Sequence, residues 1–389
     1  MVQAFGANPI SAGSRLDQLV AATPSSRDRY VDFLRALSIG VVVLGHWLSA
    51  LVGWKDGALS VRNAVGLVPG LWCTTWLLQV MPLFFFIGGF SNYTSMESTL
   101  RRGDTGVSFL RSRLIRLLKP TAVFLVAWLV VLVALQVAGV LKPVHLKSTV
   151  LLFGPLWFLV VYLAITALTP LMRILHLRFG IAAVAVMAAF AVGMDVLRFS
   201  LKVPAVGWAN FAFVWLLAHQ LGFFYADGTL ARARRRVHMA IALGGLAGLL
   251  LLTHNGVYPR SMVGTGFERV SNMTPPTVCI LLLTFWLVGA AMYLRGWANR
   301  WLARPGPWKM VIAANSVIMT VYLWHITAYA VTFGLLAAIG YAGSAPGSVR
   351  WWLERSIWLV GPGLVLSLLV MMFSRFERPT LNRDATRFC

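Results

Sequence analysis

Charge is scarce in this chain, and negative charge scarcest. Only 12% of its 389 residues are Asp, Glu, Lys or Arg, and 12 of them are acidic. A soluble domain carries about a quarter charged residues, so a water-soluble globule is excluded. Cysteine is equally rare: Cys73, Cys279 and Cys389 form no metal-binding or disulfide spacing. A P-loop, a zinc signature and a Gly-x-Ser-x-Gly elbow are all missing, which removes the usual marks of nucleotide-driven transport and soluble-type hydrolysis. No metal is expected. Among the carboxylates, Asp195 alone falls inside an apolar run, near its end. A proton- or sodium-coupled carrier ordinarily places carboxylates or broken helices near the midplane.

What fills the chain is apolar sequence: 59% hydrophobic residues, with 16 Trp and 23 Phe. Runs near the ~20 residues that cross ~30 Å of hydrocarbon recur along its length. The pattern predicts an all-α, polytopic bundle in the lipid bilayer with ten spans: 36–54, 71–90, 120–140, 150–172, 180–197, 206–226, 237–253, 277–294, 311–340 and 351–374. The ninth is long enough to be tilted, kinked or extended beyond the bilayer. With the N-terminus in the cytoplasm, 24 of the 34 Lys and Arg fall inside and 10 toward the outside, two in each of four external segments and the last two, Arg350 and Arg355, at the entry to the tenth span. The positive-inside rule therefore places both termini in the cytoplasm. The same asymmetry accounts for the net charge of +22, and no nucleic-acid partner is expected.

Three parts follow. Residues 1–28, mostly Ser/Ala/Gly-rich with little periodicity, read as a mobile cytoplasmic tail. They lack the basic-then-apolar layout of a cleaved signal, so the first span serves as its own insertion signal. Residues 29–379 form the membrane domain, and 380–389 a short cytoplasmic tail. The longest external segment, 254–276, ends in Pro275-Pro276, which mark an extended entry into the eighth span. It reads as a connector, with a cover over an external site as the alternative.

The stretch 29–49 organises the rest. In an α-helix the eleven steps from Arg35 to His46 turn about 1100°, within about 20° of three full turns, over about 16 Å. The two side chains share one face, and Asp32 lies on nearly the same stripe. An ionisable group at membrane depth is a functional candidate by default. An imidazole can take a proton from a hydroxyl and return it; the plain alternative is a neutral histidine bonded to a neighbouring helix. Arg113 and Arg116, three apart, are neighbours at the cytoplasmic edge of the third span. Guanidiniums there suit a phosphate-bearing ligand, although topology alone also asks for arginines at that place. Gly88 and Gly89 in Met81–Phe90 permit close approach of a helix or ligand. Tyr322-Leu-Trp-His325 puts a second histidine inside the ninth span, in a structural or gating role.

Taken in order, these pieces resemble the acyltransferase 3 family of integral-membrane acyltransferases. The resemblance is carried by Asp32-Phe-Leu-Arg35 with His46 after ten intervening residues, Pro82–Phe90, Phe109 with Arg113-Leu-Ile-Arg116 before Pro120, Trp157-Phe-Leu159, and Tyr322-Leu-Trp-His325. It covers residues 29–379. It implies an acyl-CoA-dependent O-acyltransferase of a bacterial inner (cytoplasmic) membrane. Such an enzyme passes an acyl group, often acetyl from acetyl-CoA, to a hydroxyl of a cell-envelope glycan, glycolipid or secreted metabolite. By that resemblance His46 is the catalytic histidine and Arg35, Arg113 and Arg116 bind the donor, with Asp32, Trp157, Tyr322 and His325 as supporting residues. The coenzyme's phosphates are then expected at the arginines and the thioester near His46. Ala36 stands where a Gly often follows the Arg, and Gly88-Gly89 where Ser-Gly is frequent, which touches substrate packing rather than chemistry. Direct transfer and an acyl-histidine intermediate both fit. The runner-up is a transporter or flippase for a lipid-linked glycan, and a third reading is a non-catalytic partner in envelope synthesis. Oligomeric state is not specified.

Overall fold

The computed structural model describes residues 27–55, 58–139, 149–341 and 343–377, with part of 17–24. The expected C-terminal tail, 380–389, and most of the expected N-terminal tail lie outside them. Helix α1 (Arg29–Ser49) begins at a strong cap, where Asp28 Oδ1 accepts from the backbone N–H of Tyr30 at 2.9 Å and of Val31 at 3.1 Å. It stops at Ser49 instead of continuing to 54. Residues Ala50–Lys55 (β1) turn into a hairpin with Ala58–Asn63 (β2), antiparallel, with Ala50 opposite Asn63. A short apolar run such as Leu51-Val-Gly has no period that separates helix from strand, and Val and Gly are poor helix formers.

Eleven more helices of a dozen residues or so, or longer, follow. They are α2 (Met81–Arg101), α3 (Gly106–Val137), α4 (Leu156–Ala167), α5 (Thr169–Phe179), α6 (Ile181–Phe199) and α7 (Asn210–Ala226). Then come α8 (Arg235–His254), α9 (Val278–Leu302), α10 (Pro305–Asn315), α11 (Ile318–Ala338) and α12 (Ile357–Glu377). Among the described residues, eight helical segments are long and apolar enough to cross a membrane, or nine if α4 and α5, bent by 54° at their junction, form one span. Ten were expected from the apolar runs. The difference lies at α7, whose 17 α-helical residues follow a 3-10 turn, Pro204–Ala209, opened by a proline.

Two other expected spans change shape. Helix α3 starts at Gly106 and runs through Pro120, so Arg113 and Arg116 belong to the helix itself rather than to a segment before it. The run 311–340 is two helices, α10 and α11, broken at Ser316 and Val317.

The tightest packing joins α2 to α7. A Cβ added at Gly89 would overlap the backbone carbonyl of His219, and one at Gly222 the carbonyl of Phe86. These glycines let two backbones meet, as small residues do between membrane helices. Phe85 stacks on Trp215 beside them at 4.6 Å. Helices α3 and α12, by contrast, bury only 17% of their most apolar windows and present the rest outward. Helix α1 sits inside: Tyr30 donates its hydroxyl to Ala291 O at 2.6 Å, and Trp47 Nε1 donates to His325 O at 2.9 Å.

The segment 254–276 is more than a connector. Asp195, 1% exposed, accepts from Asn210 Nδ2, the Tyr258 hydroxyl and the Val278 amide at the start of α9. Burial, and then the Asp195 carboxylate beside it, push the Tyr258 hydroxyl above its ordinary pKa, which keeps it a donor. Trp76 Nε1 donates to Arg260 O and the Met262 amide to Thr75 Oγ1, so the segment is folded against the end of the bundle that carries the hairpin.

Candidate active site

Helices α1 and α11 run side by side in the same direction, and two cavities lie along them. The first, about 430 Å³, meets α1 at Arg35 and Ile39 and α11 at Ile318, Met319 and Tyr322. Arg113 and Arg116 of α3, Ser91, Thr94 and Ser95 of α2 and Tyr162 of α4 supply the rest of its polar part. Arg35 is balanced: Nη1 donates to Asp32 Oδ1 at 2.8 Å and Nη2 to Ser91 Oγ at 2.8 Å. Asp32 in turn accepts from Arg27 Nε at 2.6 Å. Arg113 Nη2 donates to the Ser91 carbonyl, while its buried Nε has no partner. Neither Arg113 nor Arg116 meets a carboxylate among the described residues. Two cations lacking counter-charge beside a cavity make an anion-binding wall.

One turn farther along α11, and two to three along α1, the chemistry changes. His46 Nδ1 and His325 Nε2 stand 2.8 Å apart with ring planes inclined by only 6°. His325 Nδ1 lies 2.6 Å from the carbonyl oxygen of Tyr322. His46 then opens on the second cavity, about 360 Å³, which meets α1 at His46 and Ser49 and α11 at Ile326, Tyr329 and Phe333. Arg62 and Asn63 of β2 and Thr265 of the folded 254–276 segment close its far side. The residue order along α1 and α11 therefore puts arginines at one cavity, a histidine at the other, and the Tyr322–His325 turn between them. Tyr322 is itself tied across by its hydroxyl to the carbonyl of Pro155.

A family model described as an acyltransferase domain matches residues 28–375, nearly the whole chain. The chain belongs to the acyltransferase 3 family. It is a membrane acyltransferase, which has an acyl donor and an acceptor to bring together. No curated protein and no solved structure matches it.

In this acyltransferase the structure gathers the expected residues unevenly. Arg35, Arg113 and Arg116 share one cavity. His46 lines the other, so the arginines and the histidine are neighbours in one site only through α1 and α11. Tyr322 and His325 form the link, and Asp32 holds Arg35. Trp157 lines neither cavity; it is 38% exposed and packs edge-on against Phe158 and Phe211. Phe158 and Leu159, its sequence neighbours, face the arginine cavity instead.

Some of the site's residues were missed in the sequence. Ser91 holds both Arg35 and Arg113, and its signal was its place directly after the Gly-Gly-Phe run. Tyr162 reaches the cavity because Gly88 has no side chain: an added Cβ would lie 2.6 Å from Tyr162 Cε2. The hairpin and Thr265 had no local signal. No group of three or more His, Cys, Asp or Glu able to hold a metal occurs among the described residues.

Proposed function

We propose that this acyltransferase moves a short acyl group, acetyl foremost, from cytosolic acyl-CoA to a hydroxyl of a carbohydrate-bearing envelope acceptor, with His46 as general base. The observation that carries this reading is the division of chemistry along α1: a cavity where Arg35 meets Arg113 and Arg116, the latter two without a carboxylate among the described residues, and then an imidazole at the next. The excess of Lys and Arg on the α1 N-terminal side argues for a cytoplasmic arginine cavity in an inner membrane, where coenzyme A is available. Arg113, Arg116 and Arg35 suit the coenzyme's phosphates. A cavity of about 430 Å³ suits the pantetheine arm with a short acyl chain.

The second cavity suits the acceptor. Ser49, Arg62, Asn63 and Thr265 offer hydrogen bonds to hydroxyls, and Tyr329 and Phe333 offer faces for a sugar ring. In the step proposed, the acceptor hydroxyl gives its proton to His46 and its oxygen attacks the thioester carbonyl. The C–S bond breaks, and the thiolate leaving group takes the proton back from His46. The thioester has to come past the Tyr322–His325 turn for this, which makes Tyr322 the inner end of the donor site.

The test is coenzyme A release from acetyl-CoA by membrane vesicles of the source cell, which carry the natural acceptor. Vesicles with the wild-type protein should release it, and those with His46→Ala should not. Equal release by a folded His46→Ala protein sinks the assignment. A glycan carrier is the second reading, because cavities toward opposite ends of a bundle also suit alternating access; it requires substrate movement with no coenzyme A release at all.

A further inference from the structure

We infer that His325 is a positioning residue that fixes the proton of His46 on Nδ1 and leaves His46 Nε2 as the bare, proton-accepting nitrogen. This rests on the proposed role of His46 as base.

The argument is one of donors and acceptors. The Tyr322 carbonyl oxygen can only accept, so the His325 nitrogen 2.6 Å from it, Nδ1, carries a hydrogen. A neutral imidazole has one N–H. His325 Nε2 therefore presents its lone pair, and the atom it faces at 2.8 Å, His46 Nδ1, is the donor. That leaves the other nitrogen of His46 unprotonated. An extra proton on either ring would lack counter-charge, because no carboxylate bonds to His46 or His325 among the described residues. His325 is completely buried, where an uncompensated charge is costly. The pair is also held in place from outside the rings, by Trp47 Nε1 donating to the His325 carbonyl at 2.9 Å. One helical turn, Tyr322 to His325, thus lines the donor cavity with its first ring and sets the tautomer of the base with its last.

The consequence falls on the chemical step. When Nε2 takes the hydroxyl proton, His46 becomes an imidazolium, and its Nδ1–H bond to His325 becomes charge-assisted and stronger. The bond gains strength as the transition state forms, so its loss should lower kcat while leaving donor binding alone. Without an acceptor at Nε2 of residue 325, the two tautomers of His46 compete and the ring is free to turn.

Two measurements test this. The first is ¹⁵N NMR of the full chain, histidine-labelled, in lipid nanodiscs, with His46 assigned by its disappearance in His46→Ala. The expected spectrum has His46 protonated at Nδ1 and bare at Nε2; the reverse pattern overturns the inference while leaving the proposed function standing. The second compares two variants in the coenzyme A release assay. His325→Gln puts an amide near the former Nε2 and should keep turnover within about tenfold, whereas His325→Asn leaves a gap there and should lose about a hundredfold, within the range of general acid–base effects. Stabilisation by acetyl-CoA should be equal in both. Wild-type turnover by His325→Asn also overturns the inference. A fully active His46→Ala would instead overturn the proposed function, whichever tautomer the spectrum reports.

Discussion

The two cavities along α1 solve opposite electrostatic problems. At the first, fixed positive charge is left without enough negative charge: Asp32 is shared between Arg27 and Arg35, and Arg113 and Arg116 meet no carboxylate among the described residues. At the second, His46 is joined ring to ring with His325, and the pair ends on a backbone carbonyl. Unpaired cations select a ligand by charge, whereas a neutral imidazole chain handles a proton. On the proposed function, the difference means that recognition and chemistry are separated along one helix and brought together by its neighbour α11.

That separation can be broken from either end. The largest effect is expected for His46→Ala, which should cut turnover by about 10²- to 10⁴-fold or more without loss of donor binding. Arg113→Ala should do the converse. Removing a charge-assisted bond of about 1.5–3 kcal/mol should weaken acyl-CoA binding by roughly ten- to a hundredfold, measured by titration of the purified protein. If Arg113→Ala changed turnover at saturating donor but not affinity, the comparison would collapse.

A third change strikes the frame shared by both cavities. Gly89→Ala would force α2 from α7, at a cost of about 1–3 kcal/mol for an overpacked contact, and would lower Tm. Because Ser91 lies two residues on, the Arg35 and Arg113 contacts should loosen with it. Gly45→Ala is the matched control: nothing lies within 4 Å of its added Cβ, so Tm should hold or rise slightly. The smallest effect belongs to Arg116→Ala. This residue is exposed, and a solvent-screened contact of about 0–1 kcal/mol should change donor affinity by severalfold at most.

Much of this arrangement was legible in the chain because helix geometry is local. Eleven residues fix the angle between Arg35 and His46, and three residues pair Arg113 with Arg116. The apolar runs marked the helices, and Gly88-Gly89 marked a close approach. What stayed hidden is set by distant partners. The apolar run after Ser49 becomes a strand because residues 58–63 pair with it. His46 meets His325 across 279 residues, and Thr265 reaches the second cavity because Asp195 and Thr75 tie its segment down. The break after Leu168 lies within an expected span whose apolar run did not mark it, whereas the length of the run 311–340 had already allowed a kink. Trp157 lines neither cavity for a simpler reason: its motif neighbours Phe158 and Leu159 lie on the cavity side of α4, and Trp157 does not.

The most direct test of the division is thermal stabilisation by acetyl-CoA, measured side by side in wild type, Arg113→Ala and His46→Ala purified in the same detergent. A ligand that binds only the folded state raises apparent stability by mass action. The account predicts a rise in Tm for wild type and His46→Ala and little or none for Arg113→Ala. Equal stabilisation of Arg113→Ala and loss in His46→Ala would contradict it, and would place the donor at the histidine cavity instead.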